Sequence, residues 1–387
     1  MIDVARIPLA LYVHLPWCVR KCPYCDFNSH ALPSAGLPER AYLDALLDDL
    51  EFAAREAAGR ELVSVFFGGG TPSLFSAEAI ARVLGQARAL LGASAGLEVT
   101  LEANPGTIER GRFAEYADAG VNRVSLGAQS FDDARLRALG RIHAARDVEC
   151  AVAELHDAGL ANFNLDLMYG LPGQDLRGAL ADLERAIALG PTHLSHYQLT
   201  LEPDTPFAKR PPPGLPDDDA ALAMQEAAQS RLVEAGFEPY EVSASARRGY
   251  RCRHNLAYWQ FDDYLGIGAG AHGKFTAADG RIVRTARLRH PAAYLAARTP
   301  ADRLAERREV ADRDLPFEFC LNALRLTDGF EVGHFSDRTG LAATVLAPPL
   351  ATAAARGLIE EHGPGFWRPT ALGRRFLNDL TAAFLPG

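Results

Sequence analysis

Short apolar runs alternate with longer amphipathic stretches along the first half of the chain, and the two periods predict strands and helices in turn. Leu9–Leu15 is the first apolar run. Residues 39–57 follow as a helix, with Leu43, Leu46, Leu47 and Leu50 at three- and four-residue steps. Residues 62–67 predict a second, fully apolar strand ending in Gly68-Gly69-Gly70-Thr71-Pro72, and Ser76 is placed to cap a helix through Leu91. The rhythm repeats with a strand over 98–103, a helix over 107–119 closed by Gly120, and a strand over 123–128. Helical pieces over 132–139 and 144–158, a strand over 162–168, a helix over 175–188 and a sixth strand over 193–199 complete it.

Strand-then-helix units in this order imply parallel strands joined by right-handed crossovers, in an open doubly wound sheet or an incomplete barrel. In both, chemistry collects at the carboxyl ends of the strands. The conspicuous polar residues fall there. Cys18, Cys22 and Cys25 follow the first strand, the glycine run follows the second, and Glu102 ends the third. Gln129 follows the fourth, Asp166 with Tyr169-Gly170 ends the fifth, and Tyr197 and Gln198 lie near the end of the sixth.

The proline-rich stretch 210–216 breaks the pattern, and Asp217 to Asp219 suit the cap and first turn of a helix over 220–235. Composition changes at 250–274, which reads Arg251-Cys252-Arg253-His254-Asn255-Leu256-Ala257-Tyr258-Trp259 and then Leu265-Gly266-Ile267-Gly268-Ala269-Gly270-Ala271-His272-Gly273. The glycines permit close backbone approach to something flat or bulky. The tail predicts helices over 317–326, 341–356 and 370–384 with a hairpin over 358–369, a winged-helix outline that does not imply DNA binding. The expected division is a core at 1–240, a connecting segment at 241–311 and a C-terminal domain at 312–387.

Bulk properties narrow this little. Nearly half of the residues are hydrophobic (48%), enough for a sizeable core, and a net charge of −9 argues against a general nucleic-acid binder. Arg247-Arg248 and the arginines at 284–289 form local basic clusters, as anion sites or as a solvated face. No apolar run approaches the roughly 20 residues of a spanning helix, and no secretory signal pattern opens the chain. The expectation is a cytoplasmic protein of a reducing compartment.

The cysteines carry the chemistry. Three of the six stand at a C-x3-C-x2-C spacing. Structural zinc wants a second pair of ligands, and His30 stands without supporting context. Sparse cysteines outside a secreted framework do not argue for disulfides. Cys150, Cys252 and Cys320 are scattered singly, as small buried hydrophobes would be. Three thiolates from one loop can hold three irons of a [4Fe-4S] cluster and leave the fourth iron open, whereas electron-transfer ferredoxins fill all four corners. An open iron can chelate an amino acid, and S-adenosylmethionine offers one beside a reducible sulfonium. Gly68 to Gly70 would let backbone reach the amino group, Glu102 and Asp166 could bind ribose hydroxyls or balance the sulfonium, and Arg141 could pair with the carboxylate. Tyr12 and Tyr24 flank the cysteine loop.

These motifs resemble the radical S-adenosylmethionine proteins of the oxygen-independent coproporphyrinogen oxidase-like family. The resemblance rests on Tyr12-Val-His-Leu-Pro-Trp-Cys18 through Cys25-Asp-Phe-Asn28, Gly68-Gly-Gly-Thr71-Pro72, Glu102-Ala-Asn-Pro105, Gly127-Ala-Gln129-Ser-Phe131 and Asp166-Leu-Met-Tyr-Gly-Leu-Pro172, and covers essentially the whole chain. It implies an α/β fold, a partial (β/α)6 barrel with a small α+β, winged-helix-like C-terminal domain. It implies a cluster on Cys18, Cys22 and Cys25. It also implies S-adenosylmethionine contacts at Tyr12, Tyr24, Gly69, Gly70, Thr71, Glu102, Gln129, Arg141 and Asp166, with further backbone contacts near Gln198 and Gly270.

Within the family the chain is most similar to the heme chaperone branch, through His254-Asn255-Leu-Ala-Tyr258-Trp259 and the glycine motif after it. That resemblance implies heme contacts at His254, Asn255, Tyr258 and Trp259. The residues themselves leave open a second role, in which His254 and Trp259 tie this segment to the barrel. Phe27 stands where coproporphyrinogen dehydrogenases of the family have a further cysteine, and the leader is short, both arguing against oxidative decarboxylation of coproporphyrinogen III. The expected activity is therefore heme trafficking to a client hemoprotein such as a membrane-associated respiratory enzyme. The dehydrogenase and a pure electron-transfer protein are the alternatives, and a homodimer is left open.

Overall fold

The computed structural model describes residues 2–386 except 58 and 107–110, so the expected start of the third helix at Thr107 lies outside the described residues. Six parallel strands form in the expected order: β1 Leu9–Leu15, β2 Leu62–Gly69, β3 Ala93–Ala103, β4 Arg123–Gln129, β5 Phe163–Tyr169 and β6 His193–Gln198. Between them run α1 Glu39–Ala54, α2 Ala77–Leu91, α3 Phe113–Asp118, α4 Ala145–Asp157 and α5 Leu176–Ala188. Their starts follow the expected chemistry. Ser76 Oγ accepts the Ala79 N–H at 3.1 Å, and Asp217 accepts that of Ala220 at 2.8 Å ahead of α6, Asp218–Glu234.

The sheet is larger than expected. The segment 241–311 continues it rather than only connecting domains. With β7 Glu238–Glu241, β8 Ala244–Ala246, β9 Asp263–Ile267, β10 His272–Thr276, β11 Ile282–Arg287 and β12 Leu304–Glu309, the order is β12-β11-β10-β9-β1-β2-β3-β4-β5-β6-β8-β7. β9 lies parallel to β1, pairing Leu9 with Asp263 and Val13 with Ile267, so the parallel part extends beyond the six units.

Strand residues alternate between faces. Leu9, Leu11, Val13 and Leu15, then Val65 and Phe67, Val99 and Leu101, Val124 and Leu126, Phe163 and Leu165, and Leu194 pack outward. They meet Leu43, Leu46 and Leu50 of α1, Val83 and Leu84 of α2, Val148, Val152 and Leu155 of α4, and Leu183 of α5 in one core. Burying each such side chain is worth about 1.5–3 kcal/mol, so the helices are held by area rather than by specific bonds. The alternate positions, among them Tyr12, Ser64, Phe66, Glu98, Glu102, Arg123, Asn164 and Asp166, face inward and are mostly polar.

A short helix, α7 Arg253–Trp259, closes the amino-terminal half of this inner face. Glu98 Oε1 accepts the N–H groups of Arg253 at 2.9 Å and His254 at 3.3 Å, capping the helix from β3. Beyond its end Phe261 adopts a left-handed conformation (φ 56°), and the buried Lys274 ammonium donates to the Phe261 carbonyl at 2.7 Å and to Asp263 at 2.9 Å.

The tail packs a second core on Phe319, Phe330, Phe335, Leu346, Leu350, Ile359 and Leu380. It differs from expectation in three places. A helix at Val332–Thr339 was not foreseen. The piece expected from 341 is a tight turn followed by a helix at Ala347–Ala355, where Pro348 and Pro349 suit a helix start. The last helix breaks at Phe376 into Ala371–Arg375 and Leu377–Ala382. Cys252 and Cys320 are buried, but Cys150 is exposed, contrary to expectation, because it points away from the core face of α4. Two arginines of the basic cluster at 284–289 are tied down, Arg284 to Glu318 at 2.5 Å and Arg287 to Asp49 at 2.8 Å. No described helix is long and apolar enough to cross a membrane.

Candidate functional site

The loop after β1 turns at Pro16 and is held from several sides. The Gly70 and Thr71 N–H groups donate to the Leu15 and Trp17 carbonyls, each at 2.8 Å, joining it to the turn that ends β2. A Cβ on Gly70 would stand 2.5 Å from the Trp17 carbonyl oxygen, so only glycine fits that crossing. Lys21 Nζ donates to the carbonyls of Phe27 at 3.0 Å and Ser29 at 3.1 Å, and Asn28 Nδ2 donates to those of Ala269 and Arg289, each at 2.9 Å. So folded, the loop turns Cys18, Cys22 and Cys25 into one cleft of about 890 Å³ at the carboxyl ends of the strands. Burial pushes the Cys18 and Cys25 thiols up from their usual range.

The same cleft is lined by Tyr24, Gly69, Gly70, Thr71, Glu102, Gln129, Arg141, Asp166 and Gln198. Glu102 Oε2 accepts the Gly69 N–H at 3.0 Å, and Asp166 accepts from Asn164 at 2.8 Å and Ser125 at 3.3 Å. Neither carboxylate has an ion-pair partner among the described residues. Burial, reinforced by the nearby Asp166, pushes Glu102 up to about 7, and burial also raises Asp166. Arg141 donates to the Gly127 carbonyl at 2.9 Å, to Asn104 and, at 3.6 Å, to the Cys22 sulfur, while its Nε is buried without a partner. Gln129, in a left-handed conformation (φ 68°), accepts from the Tyr197 hydroxyl at 2.7 Å.

Five expected site residues are not on the cleft. Tyr12 lies one layer beneath it: its ring would meet a Cβ on Gly68 at 3.1 Å, and its hydroxyl bonds His14 Nδ1 at 3.0 Å. His254, Asn255, Tyr258 and Trp259 sit on α7, below that layer. These are the four residues at which heme contacts are expected. His254 is 1% exposed, with Nδ1 3.1 Å from Ser64 Oγ and Nε2 2.8 Å from Tyr258 Oη, so neither ring nitrogen is free. Asn255 is half-buried. Trp259 packs among Tyr240, Ala244, Ala246 and Leu326 beneath the Arg325 guanidinium, 4.4 Å from its ring. Gly270, expected near the cofactor, instead faces Asn28.

Sequence reasoning missed four positions. Buried His14 donates from Nε2 to the Asn28 carbonyl at 2.9 Å, accepts from Tyr12, and lies under Gly69. Asn104 links Arg141 to Thr71, which it reaches at 3.0 Å. Arg20 and Arg325 line the rim, Arg325 coming from the tail. The quoted motifs already held His14 and Asn104, and their polar types beside functional neighbours were the signal.

These residues fit an iron–sulfur cluster and a cationic amino-acid ligand. The donor set is three thiols from one loop on one cleft, the case that leaves an iron open. Two buried carboxylates with no ion-pair partner among the described residues, and a buried guanidinium with an unpartnered Nε, leave complementary charges for a ligand to meet.

Comparison with known proteins agrees with this geometry. Residues 12–186 match the Radical SAM superfamily model, and residues 310–376 match the HemN C-terminal domain. The heme chaperone HemW of Escherichia coli (strain K12) is 49% identical over 378 residues, spanning 98% of each chain. Its counterpart in Haemophilus influenzae is 47% identical over 382 residues, and that in Bacillus subtilis 32% identical over 379, each spanning 98% of the relative and at least 97% of this chain. The solved structure of the radical SAM enzyme coproporphyrinogen III oxidase (HemN) from Escherichia coli superposes with a TM-score of 0.81 at 23% identity, covering 98% of this chain and 90% of that one. It shares the α/β barrel architecture and the C-terminal domain.

Proposed function

This chain belongs to the heme chaperone HemW family within the radical SAM superfamily, and from that membership we propose that it binds heme and delivers it to client hemoproteins. Membership implies a [4Fe-4S] cluster and S-adenosylmethionine. When bound, the pair supplies one-electron reduction of a sulfonium. In this reading Cys18, Cys22 and Cys25 hold three irons. The Gly69 and Gly70 backbone admits the amino group, Arg141 orients the carboxylate, and Glu102 and Asp166 neutralise the cation. Thr71 and Gln129 shape the remaining wall, and Tyr24 covers the loop.

The observation that carries the chaperone reading is the cysteine loop itself. It ends in Phe27, an aromatic ring 62% exposed on the cleft lining, in a chain that aligns end to end with heme chaperones. Phe27 offers a flat apolar face, and Arg20 and Arg325 on the same lining offer cations for propionates. The clients of such a carrier would include respiratory hemoproteins at a membrane, reached from the cytoplasm.

The test is anaerobic titration of the cluster-loaded protein with hemin, followed by mixing with an apo-hemoprotein. The expected result is a saturable Soret change, then transfer of heme to the acceptor. No saturable change, or no transfer, overturns the reading. Incubating the same preparation with coproporphyrinogen III tests the dehydrogenase alternative, which requires loss of two carboxyl groups per substrate and consumption of S-adenosylmethionine.

A further inference from the structure

We propose that α7, with His254 and Tyr258, is a positioning element of the S-adenosylmethionine cleft, and that His254 is not a heme ligand. The inference rests on reading the cleft as the S-adenosylmethionine site.

Two strands carry the argument. β2 presents Ser64, Phe66 and Gly68 inward at successive alternate positions, and β3 presents Glu98, Thr100 and Glu102. Helix α7 is bonded to the lowest member of each row, Ser64 through His254 and Glu98 through its first N–H groups. The cleft is built on the highest member of each row, the turn at Gly68 and the carboxylate of Glu102. One layer separates them. The His254 ring stacks on Phe66 with centroids 4.9 Å apart and planes at 27°, and lies 6.1 Å from the Tyr12 ring.

Phe66 and Tyr12 in turn support the turn. The point where a Cβ on Gly68 would stand is 3.0 Å from Phe66, 3.1 Å from Tyr12 and 3.2 Å from Glu102 Oε2. From Tyr12 the contact passes to His14, whose ring atoms lie 2.6–2.8 Å from the equivalent point on Gly69, and then to the Asn28 carbonyl in the cysteine loop. A shift of the imidazole therefore propagates to the glycine turn, Glu102 and the loop.

Heme ligation has no matching geometry. A neutral imidazole has one donor and one acceptor nitrogen, and both of His254's are engaged inside the core. Binding iron there would require removing α7 from the barrel, together with its Glu98 and Lys274 anchors.

The full-length, cluster-loaded protein and its His254→Ala, His254→Gln and Tyr258→Phe variants should be compared anaerobically by three measurements. These are S-adenosylmethionine affinity by equilibrium dialysis, the change that ligand causes in the EPR signal of the reduced cluster, and hemin affinity by absorbance. His254→Ala should weaken S-adenosylmethionine binding about tenfold and diminish the EPR change, in line with other supporting-shell truncations. His254→Gln should recover part of both, and Tyr258→Phe, which keeps the ring, should lose about two- to threefold. Hemin affinity and the Soret position should stay within about twofold and unshifted in all three. If His254→Ala loses iron or helical signal, the other two variants decide the matter. Unchanged S-adenosylmethionine binding in the variants, or a Soret shift with lost hemin affinity, overturns the proposal. A wild-type protein whose EPR signal ignores S-adenosylmethionine would instead refute the assignment of the cleft, whatever the variants do.

Discussion

The Asn28 side chain occupies the space that a side chain on Gly270 would need. Asn28 closes the cysteine loop, and Gly270 lies in the glycine-rich stretch that follows β9, so two segments far apart in sequence interlock. The bonds from Asn28 to the Ala269 and Arg289 carbonyls fix the fit. Gly270 also holds a left-handed φ of 85°, which an L side chain adopts only with strain. Gly270→Ala should therefore displace Asn28 and loosen the loop, at a cost of about 1–3 kcal/mol. Iron and sulfide content after anaerobic reconstitution, with thermal unfolding alongside, checks this. Full cluster content at unchanged Tm would show that the latch does not matter.

Glu102 supplies a pH dependence. Burial and Asp166 push its carboxyl up to about 7, so it is largely protonated below that pH. A cationic ligand favours the ionised form, and binding must then release a proton. Affinity for S-adenosylmethionine should be level above about pH 7.5 and fall about tenfold by pH 6, with the ionised fraction. Glu102→Gln should bind more weakly and lose most of this slope. Calorimetry in two buffers of different ionisation enthalpy would count the proton, and an equal affinity from pH 6 to 8 would contradict the assignment.

How much of this was legible follows from what sequence periods encode. Parallel strands align their carboxyl ends, so Cys18, Gly69, Glu102, Gln129 and Asp166 could be assembled from their positions after successive apolar runs. The inner face was less visible. The second strand read as fully apolar, yet Ser64 faces inward and bonds His254 across 190 residues of chain. Nothing local to His254 reports that contact, and the aromatic residues beside it invited a heme reading. The glycines of 266–270 did signal close approach. Their partners are the chain's own His272 carbonyl for Gly266, His14 carbonyl for Gly268 and Asn28 side chain for Gly270, and the last two require knowing that β9 lies against β1.

Phe27 separates heme from the other ligands. It is exposed and packs little, so Phe27→Ala should leave Tm within about 1 °C, as surface changes away from special features do. Losing an aromatic face against a porphyrin is worth about 0.5–1.5 kcal/mol, so hemin affinity should fall about two- to tenfold. S-adenosylmethionine affinity should not change. Parallel titrations of one preparation check both, and equal hemin binding by the variant and wild type would remove Phe27 from the heme site.

Lys274 anchors the end of α7 without touching the cleft. It is 1% exposed, donates to the Phe261 carbonyl and Asp263, and lies 4.1 Å over the Phe261 ring. Asp263 also accepts from Arg60 and from the Thr276 N–H, each at 2.8 Å. Burial pushes Asp263 up, but Lys274 and Arg60 outweigh it and hold the carboxyl below its usual range. Lys274→Ala removes one cation from a buried cluster and strands a carbonyl, which should cost about 3–5 kcal/mol in urea unfolding. Because the folded-state pKa of Asp263 is depressed, its contribution is present above the unfolded value near 4 and is lost as pH falls through the folded value. The gap between wild type and variant should therefore be widest near neutrality and shrink in acid below about pH 4. A gap that holds constant into that acid range would mean that the ammonium acts through packing and its carbonyl bond rather than through Asp263.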